Sequence, residues 1–224
     1  MQHMVVLANS KKPGGSCLAG KLLEADGHVG DWIRPVIGPA EAGLPLHRTV
    51  CDDGQPVMPL DVIATSWAAP VPARHQRENH LLGASGLLRC GRVGWDALPA
   101  LADAPAMLWV NTSSSGCGLN DRVPESMLDQ LQDSLKLVGV HDLVLYALPG
   151  YGGKMKHRAD FRIGMHRYNL ALTDTVAMRW LNSSPRIELP EAYVCVSLAV
   201  PFGDGYAYKV AASVISRERA EGKA

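Results

Sequence analysis

Charged and apolar residues alternate over residues 154–167, KMKHRADFRIGMHR. Successive side chains of a β-strand point to opposite faces of the sheet. One face of this predicted strand carries Lys156, Arg158, Asp160 and Arg162, and the other carries His157, Ala159, Phe161 and Ile163. The pattern predicts a strand with one cationic, solvated face and one face that is buried in a core. A structural role for the charged face, as the ordinary polar side of a sheet, is the alternative.

Short apolar runs bounded by turn residues predict further strands along the chain. The 15 prolines and 22 glycines interrupt the sequence too often for long helices almost everywhere. Strands are predicted at residues 4–8, 31–36, 60–67, 107–110, 142–148, 165–172, 193–200 and 206–215.

One helix of several turns is predicted, over residues 124–137. Pro124 suits the first turn, and apolar residues from Met127 to Leu135 recur at the spacing of one helical face. Many short strands with few short helices indicate a mainly β fold, which we interpret as two tandem OB-like small β-barrels. We place the first barrel at residues 1–103 and the second at residues 104–224, because proline interrupts the chain at their junction.

Basic and acidic residues number 22 each, so the formal net charge at pH 7 is zero. This balance argues against a protein that coats nucleic acid non-specifically over its whole surface. Residues 154–167 nevertheless hold five Lys or Arg and one Asp, a local net charge of +4. We therefore expect any anion-binding site to be local.

The five cysteines are dispersed and form no CxxC pair. That pattern is typical of reduced thiols in a cytoplasmic protein rather than of a disulfide framework. No apolar run approaches the length needed to span a bilayer, so we expect a cytoplasmic protein without a membrane partner.

The loop at residues 9–21 combines cations with paired glycines. Gly14 and Gly15 allow backbone N–H groups to approach an anion, and Lys11, Lys12 and Lys21 supply positive charge. The loop lacks the GK[ST] sequence of a Walker loop. It is a candidate phosphate contact, and a turn with solvated lysines is the alternative.

Further candidate contacts combine positive charge with aromatic or amide groups. Trp32 and Arg34 are two apart on a predicted strand and therefore share a face suited to stacking and charge. Arg74, His75 and Asn79 belong to RHQRENH, which suits contacts to bases and phosphates or a structural hydrogen-bond network. The complete set of candidate nucleic-acid-binding residues is Lys11, Lys12, Lys21, Trp32, Arg34, Arg74, His75, Asn79, Arg122, Lys156, Arg158, Arg162 and Arg167.

No catalytic motif is recognisable: the chain has no GxSxG elbow, no HExxH and no dinucleotide fingerprint. His75 and His80 are five apart, which does not match the helical spacing of a zinc protease. We therefore predict no catalytic residue, no metal and no cofactor. An enzyme that acts on phosphodiesters or nucleotides, through Glu78, Asp121 or Asp160, is the first alternative, and a protein-interaction module is the second.

Several motifs in order resemble the dual OB-containing domain proteins of bacteria. They are ANSKKPGGSCLAGK, DWIRPV, HQRENHLL, LWVNTSSSGCGLNDRVP, RADFRIGMHRYNLALTD and SLAVPFGDGYAYKVAASVI, which together span nearly the whole chain. The resemblance implies two tandem OB-like barrels that recognise nucleic acid, single-stranded above all, or a nucleotide. It also implies a place in a prokaryotic defence system, and it transfers no catalytic residue. The protein-interaction alternative would have a second defence protein as its partner.

Overall fold

A computed structural model describes residues 1–38 and 43–223, and for Tyr151 it describes the backbone only. Strands account for 53% of the chain, which confirms the predicted mainly β class. The first half contains β1 (Gln2–Lys12), β2 (Gly15–Leu23), β3 (Val29–Val36), β4 (Asp61–Thr65), β5 (Trp67–Pro70), β6 (Asn79–Leu82), β7 (Leu88–Arg92) and the short helix α1 (Leu98–Leu101).

The strands of the first half form a curved half-barrel sheet in the order β5-β6-β3-β2-β1-β4-β7. β1, β2 and β3 are an antiparallel meander, and β6 pairs in parallel with β3. β4 pairs with β1, whereas β5 pairs with β6. The single residue Ser66 separates β4 from β5, so this bent segment contacts both sides of the half-barrel.

The second half is a closed five-stranded barrel. Its elements are β8 (Arg122–Pro124), β9 (Leu135–Pro149), β10 (Met155–Ile163), β11 (His166–Leu172), α2 (Thr175–Ser183), β12 (Arg186–Pro201), β13 (Tyr206–Ile215) and α3 (Arg217–Ala220). Antiparallel pairs join β9 to β10, β10 to β11, β9 to β12 and β12 to β13. The parallel pair β11–β13 closes the ring, and β8 adds to the edge of β13.

Helix α2 lies between the third and fourth strands of the barrel, where an OB fold commonly has its helix. Asp174 starts it, because its carboxylate accepts hydrogen bonds from the N–H groups of Val176 and Ala177. Ala177 and Leu181 are the buried side of this short helix. Helix α2 was not predicted from the sequence, although its Asp-Thr start is a capping signal.

The predicted helix at residues 124–137 is wrong. A 3₁₀ helix spans only Glu125–Gln130, and β9 already begins at Leu135. Leu135 and Leu137 are buried between the two halves as alternate residues of a strand paired with β12. The pairing of β9 with β12 overrides the helical spacing, because a short helix has little stability of its own. The predicted strand at residues 107–110 is also wrong, because those residues form no strand.

The two halves share an apolar interface. Val5 and Leu7 of β1 point to it, whereas Met4 and Val6 point into the half-barrel, so β1 is buried on both faces. The second half contributes residues of β9, β12 and β13, which include Leu137, Tyr193, Cys195, Ala212 and Ile215. A strand that is buried on both sides reads as a continuous apolar run, as residues 4–8 do.

Two further predictions concern the domain boundary and membrane-spanning segments. The domain boundary at residues 103 and 104 stays a prediction, although Asp103 lies between α1 and β8. Within the described residues, no helix has both the length and the apolar character needed to cross a membrane.

Candidate nucleic-acid interface

The outer face of β2 and β3 corresponds to the face that commonly binds ligands in an OB barrel, and here it lies against the second half. Lys21 Nζ donates to Asp103 Oδ1 over 2.8 Å, and Trp32 Nε1 donates to Asp103 Oδ2 over 3.1 Å. The same Oδ2 accepts from the backbone N–H of Leu137 in β9. The structure therefore places Lys21 and Trp32 in a contact that holds the connecting segment.

Arg34 is also buried between the halves, with a side chain 3% exposed. Its Nη2 atom donates to Ser134 Oγ over 2.9 Å and to Ser197 Oγ over 3.3 Å, and lies 3.0 Å from Glu78 Oε1. The Nε–H of Arg34 has no acceptor among the described residues. A buried unpaired N–H costs roughly 1–3 kcal/mol, so a water or ligand oxygen at this atom would be stabilised.

Arg74 and His75 make contacts across the two halves. Exposed Arg74 binds Asp129 with two nitrogens and Glu125 with a third, and these hydrogen bonds raise the pKa of its guanidinium. His75 Nε2 lies 3.0 Å from the carbonyl oxygen of Ala199, and burial lowers the pKa of this imidazole. These contacts correspond to the structural hydrogen-bond alternative of the sequence analysis.

The cationic face of β10 is only partly solvated, which corrects the expectation from alternation. Arg158 is buried, 6% exposed. Its Nε donates to Asn169 Oδ1 over 2.7 Å, and its Nη2 lies 3.4 Å from Asp121 Oδ2. The chain at residues 113–121 covers this point, because Leu119 pairs with Asn169 through both backbone groups. A period-two pattern identifies the outer face of a strand but not a loop that lies on it.

The other cations of that face remain exposed. Lys156 Nζ lies 3.1 Å from Cys117 Sγ, and Arg162 donates to the carbonyl oxygen of Met165 over 3.3 Å. Arg167 makes a two-point ion pair with Asp160, with N–O distances of 2.8 and 2.9 Å. Part of the local positive charge predicted from the sequence is therefore paired within the protein.

Arg122 lies on β8 beside the hairpin that joins β12 and β13. Its guanidinium carbon is 3.9 Å from the centre of the Tyr206 ring, and its Nε donates to Ser113 Oγ over 2.9 Å. A longer ion pair of 4.0 Å reaches Asp204 in the hairpin. This geometry lets Arg122 brace the hairpin through an aromatic and a charged contact.

Lys11 and Lys12 reach a cleft between the β1–β2 turn and the second barrel. The backbone N–H of Lys11 donates to the carbonyl oxygen of Thr173 over 3.0 Å, which fixes the turn against the end of β11. Gly15 has φ +155° and a Cβ there would lie 2.0 Å from the carbonyl oxygen of Leu44, so this close approach requires glycine.

The cleft consists of three adjoining cavities of about 380, 660 and 320 Å³. The first two share Lys11 and Lys12, and the first and third share Lys12 and Gln76. Arg34 lines the 380 Å³ cavity, and Asn79 lines the 320 Å³ cavity with its Oδ1 buried and unpartnered. Volumes of this order are typical of small-molecule sites. The cleft thus joins five of the predicted site residues, which are Lys11, Lys12, Arg34, Arg74 and Asn79.

The charged side chains that line the cleft are basic. Lys11, Lys12, Arg34 and Arg74 are among its lining residues, whereas none of the lining residues in the described ranges 1–38 and 43–223 is Asp or Glu. Concave sites lined by one sign of charge concentrate the field and attract the opposite ion. Arg34 and Arg74 are paired with acids outside the lining, so the cleft, like the face of β10, is partly neutralised, and it differs from that face in being concave.

Sequence reasoning missed residues that the second half contributes to the cleft. Phe202 is 59% exposed at the rim, and Ser197 lies beside Arg34. The aromatic residue within the PFGDG turn was the available signal, because hairpin turns usually carry polar residues there. No sequence signal placed this turn beside Lys11.

The acids considered for the enzymatic alternative are divided between two networks. Glu78 contacts Arg34 and Ser134 in the interface. Asp121 and Asp160 instead reach the Arg158–Asn169 network. The described residues contain no group of three or more His, Cys, Asp or Glu side chains that is arranged to hold a metal.

Lys209, which points into the second barrel, holds the segment that leads into the loop at residues 113–121. Its side chain is fully buried, and its Nζ donates to the carbonyl oxygen of Val110 over 2.7 Å and to Asn111 Oδ1 over 2.9 Å. Burial lowers the pKa of the Lys209 ammonium from 10.5 to about 7, and the nearby charge of Asp121 acts in the opposite direction.

The low pKa of Lys209 predicts that the contribution of this group to stability increases from neutral to alkaline pH. Between about pH 7 and pH 10.5 the unfolded chain binds the proton and the folded chain does not. The contribution of Lys209 to the free energy of unfolding should therefore rise with pH in that window, by up to about 1.4 kcal/mol per unit. Urea unfolding at several pH values measures the slope, and Lys209→Met should remove this contribution; an unchanged slope in the variant would contradict the assignment.

The chain belongs to the dual OB-containing domain family, whose pattern matches residues 2–214. This match confirms the resemblance and the predicted fold class. Comparison with curated proteins gave no match, and comparison with solved structures gave none either.

Proposed function

We propose that this member of the dual OB-containing domain family binds single-stranded nucleic acid or a nucleotide in the cleft between its two halves, without performing chemistry. The observation that carries the proposal is the cavity with Lys11 and Lys12 at its mouth and Arg34 in its floor. OB folds commonly bind nucleic acids, and phosphate contacts from Lys and Arg supply most of the affinity of such complexes.

Three features of the cleft support phosphate binding. The lysines are the last two residues of β1, and backbone hydrogen bonds to Thr173 and Leu44 hold the chain on either side of the following turn, so the backbone of this segment is fixed. The unpaired Nε–H of Arg34 offers a buried donor. Phe202 offers an exposed ring on which a base can stack, as in proteins that bind single strands.

A cytoplasmic location and a role in a prokaryotic defence system, with a second defence protein as partner, are part of the proposal. They rest on the family resemblance and the absence of long apolar runs. An interaction module would instead bind a protein with little dependence on salt, and an enzyme would show turnover of a phosphodiester or nucleotide.

Replacing Lys11 and Lys12 together with alanine is expected to weaken binding of a labelled single-stranded oligonucleotide by roughly tenfold, because two phosphate contacts are lost. The slope of log affinity against log salt should fall by about one unit per lost contact. Fluorescence anisotropy at several salt concentrations measures both quantities.

The matched control removes two exposed cations outside the cleft, Arg186→Ala with Lys223→Ala. This variant should bind like the parent protein. Equal affinity and slope for the parent and the Lys11→Ala, Lys12→Ala variant would contradict the cleft as the binding site. A loss seen instead in Lys156→Ala with Arg162→Ala would assign binding to β10.

A further inference from the structure

An OB barrel could bind the middle of a nucleic-acid strand along one of its faces. In both halves, other parts of the chain cover such a face. In the first half, Lys21, Trp32 and Arg34 of β2 and β3 are engaged by the second half or the connecting segment. In the second half, the backbone of Leu119 pairs with Asn169 on β11. A continuous strand would have to displace one of these contacts, whereas the cleft is already formed.

The cleft ends at a buried guanidinium. Arg34 is 2% exposed, and its Nη2 atom contacts Ser134, Ser197 and Glu78. The 380 Å³ cavity leads from Lys11 and Lys12 at the mouth to Arg34 in the floor. A phosphate in the middle of a nucleic-acid strand has nucleotides on both sides. It therefore contacts Lys11 and Lys12 at the mouth more readily than Arg34 in the floor. A group at the end of a molecule can enter and reach Arg34.

Basic side chains around the cavity favour a ligand group with a high negative charge. Lys11, Lys12 and Arg34 line the cavity, and Glu78 pairs with Arg34. A terminal phosphate carries a charge of about −1.5 to −2 at pH 7 and three acceptor oxygens. A phosphodiester inside a strand carries only one negative charge and two free oxygens.

We infer that the cleft selects a terminal phosphate monoester, either on a free nucleotide or at a phosphorylated end of a strand. This inference rests on the proposed function and narrows its ligand. The phosphate lies among Lys11, Lys12 and Arg34, and the first base stacks on Phe202. The ring of Phe202 is supported edge-on by Tyr208, with ring centres 5.6 Å apart and an angle of 88°.

The test is competition against a labelled, 5′-phosphorylated single strand bound to the full chain. The competitors are the same unlabelled strand with a 5′-phosphate, with a 3′-phosphate, with no terminal phosphate, and ligated into a circle. A nucleoside 5′-monophosphate and its nucleoside separate a free nucleotide from a strand end as the source of the phosphate. A phosphorylated competitor should be at least about tenfold more effective than the unphosphorylated strand or the circle.

A circle that competes within about threefold of the phosphorylated strand overturns the inference. If Lys11→Ala with Lys12→Ala also weakens binding of that circle, the proposed function stands and only the preference for an end is wrong. If no strand or nucleotide binds, or if the lysine variant binds every ligand like the parent, the proposed function fails and the inference with it.

A separate variant tests whether a base stacks on Phe202. Phe202→Ser removes a largely exposed ring, so the fold should tolerate it, and binding of the nucleotide should weaken by roughly tenfold. Met165→Ser, at an apolar side chain 88% exposed in the β10–β11 turn, is the matched control and should leave binding unchanged. Unaltered binding by Phe202→Ser would overturn the stacking position.

Discussion

Replacing Asp174 with alanine is expected to lower the free energy of unfolding by about 3–5 kcal/mol. The Asp174 carboxylate is buried and ion-paired with Arg219, which is itself 5% exposed. It also accepts from the N–H of Val214 in β13 and from the first turn of α2. One carboxylate therefore connects the barrel helix, the last strand and the C-terminal helix. Alanine would leave the Arg219 guanidinium buried without its counter-ion.

Urea unfolding followed by circular dichroism measures this loss. The variant Arg219→Met, alone and combined with Asp174→Ala, completes a double-mutant cycle. The combined variant should be less destabilised than the sum of the two single variants, because the double change leaves neither charge buried and alone. A loss below about 1 kcal/mol for Asp174→Ala would show that water reaches this site.

Reversing the charge of Arg158 with Arg158→Glu is expected to destabilise the fold by a similar amount, about 3–5 kcal/mol. The new carboxylate would lie beside Asp121, which is 2% exposed, and would lose the hydrogen bonds from Arg158 to Asn169. The solvated face predicted from alternation would instead have tolerated this change.

Arg162→Glu is the matched control on the same strand, because Arg162 is exposed and contacts only a turn carbonyl in the described structure. It should change the free energy of unfolding by less than about 0.5 kcal/mol. Thermal melts of both variants decide between the two descriptions. Equal melting temperatures would show that the loop at residues 113–121 does not hold Arg158 in solution.

Local pattern was sufficient where a segment is a strand with one core face. Residues 156–163 alternate in charge, and β10 buries Ala159 and Phe161 on the predicted side. The strand predicted at residues 206–215 coincides with β13. Such segments are specified by side chains that alternate within the strand itself.

Local pattern failed where partners distant in the sequence decide the structure. Apolar residues from Met127 to Leu135 fit a helical face, but the long pairing of β9 with β12 favours a strand from Leu135 onward. A short helix has little stability of its own, so the longer pairing determines the result. In the described chain, α2 is the only helix of more than two turns. It lies between β11 and β12, and Asp174 caps it.

By itself, the sequence determined the mainly β class, the family and the presence of lysines beside a glycine-containing turn. These properties depend on residues that are close in the chain. Tertiary structure alone decided which cations are available, because burial depends on what covers each side chain. It placed Lys21, Trp32 and Arg34 between the halves, put Asp121 over Arg158, and brought Phe202 to the cleft of Lys11 and Lys12. Contacts between residues far apart in sequence carry no local pattern, so only the folded chain reveals them.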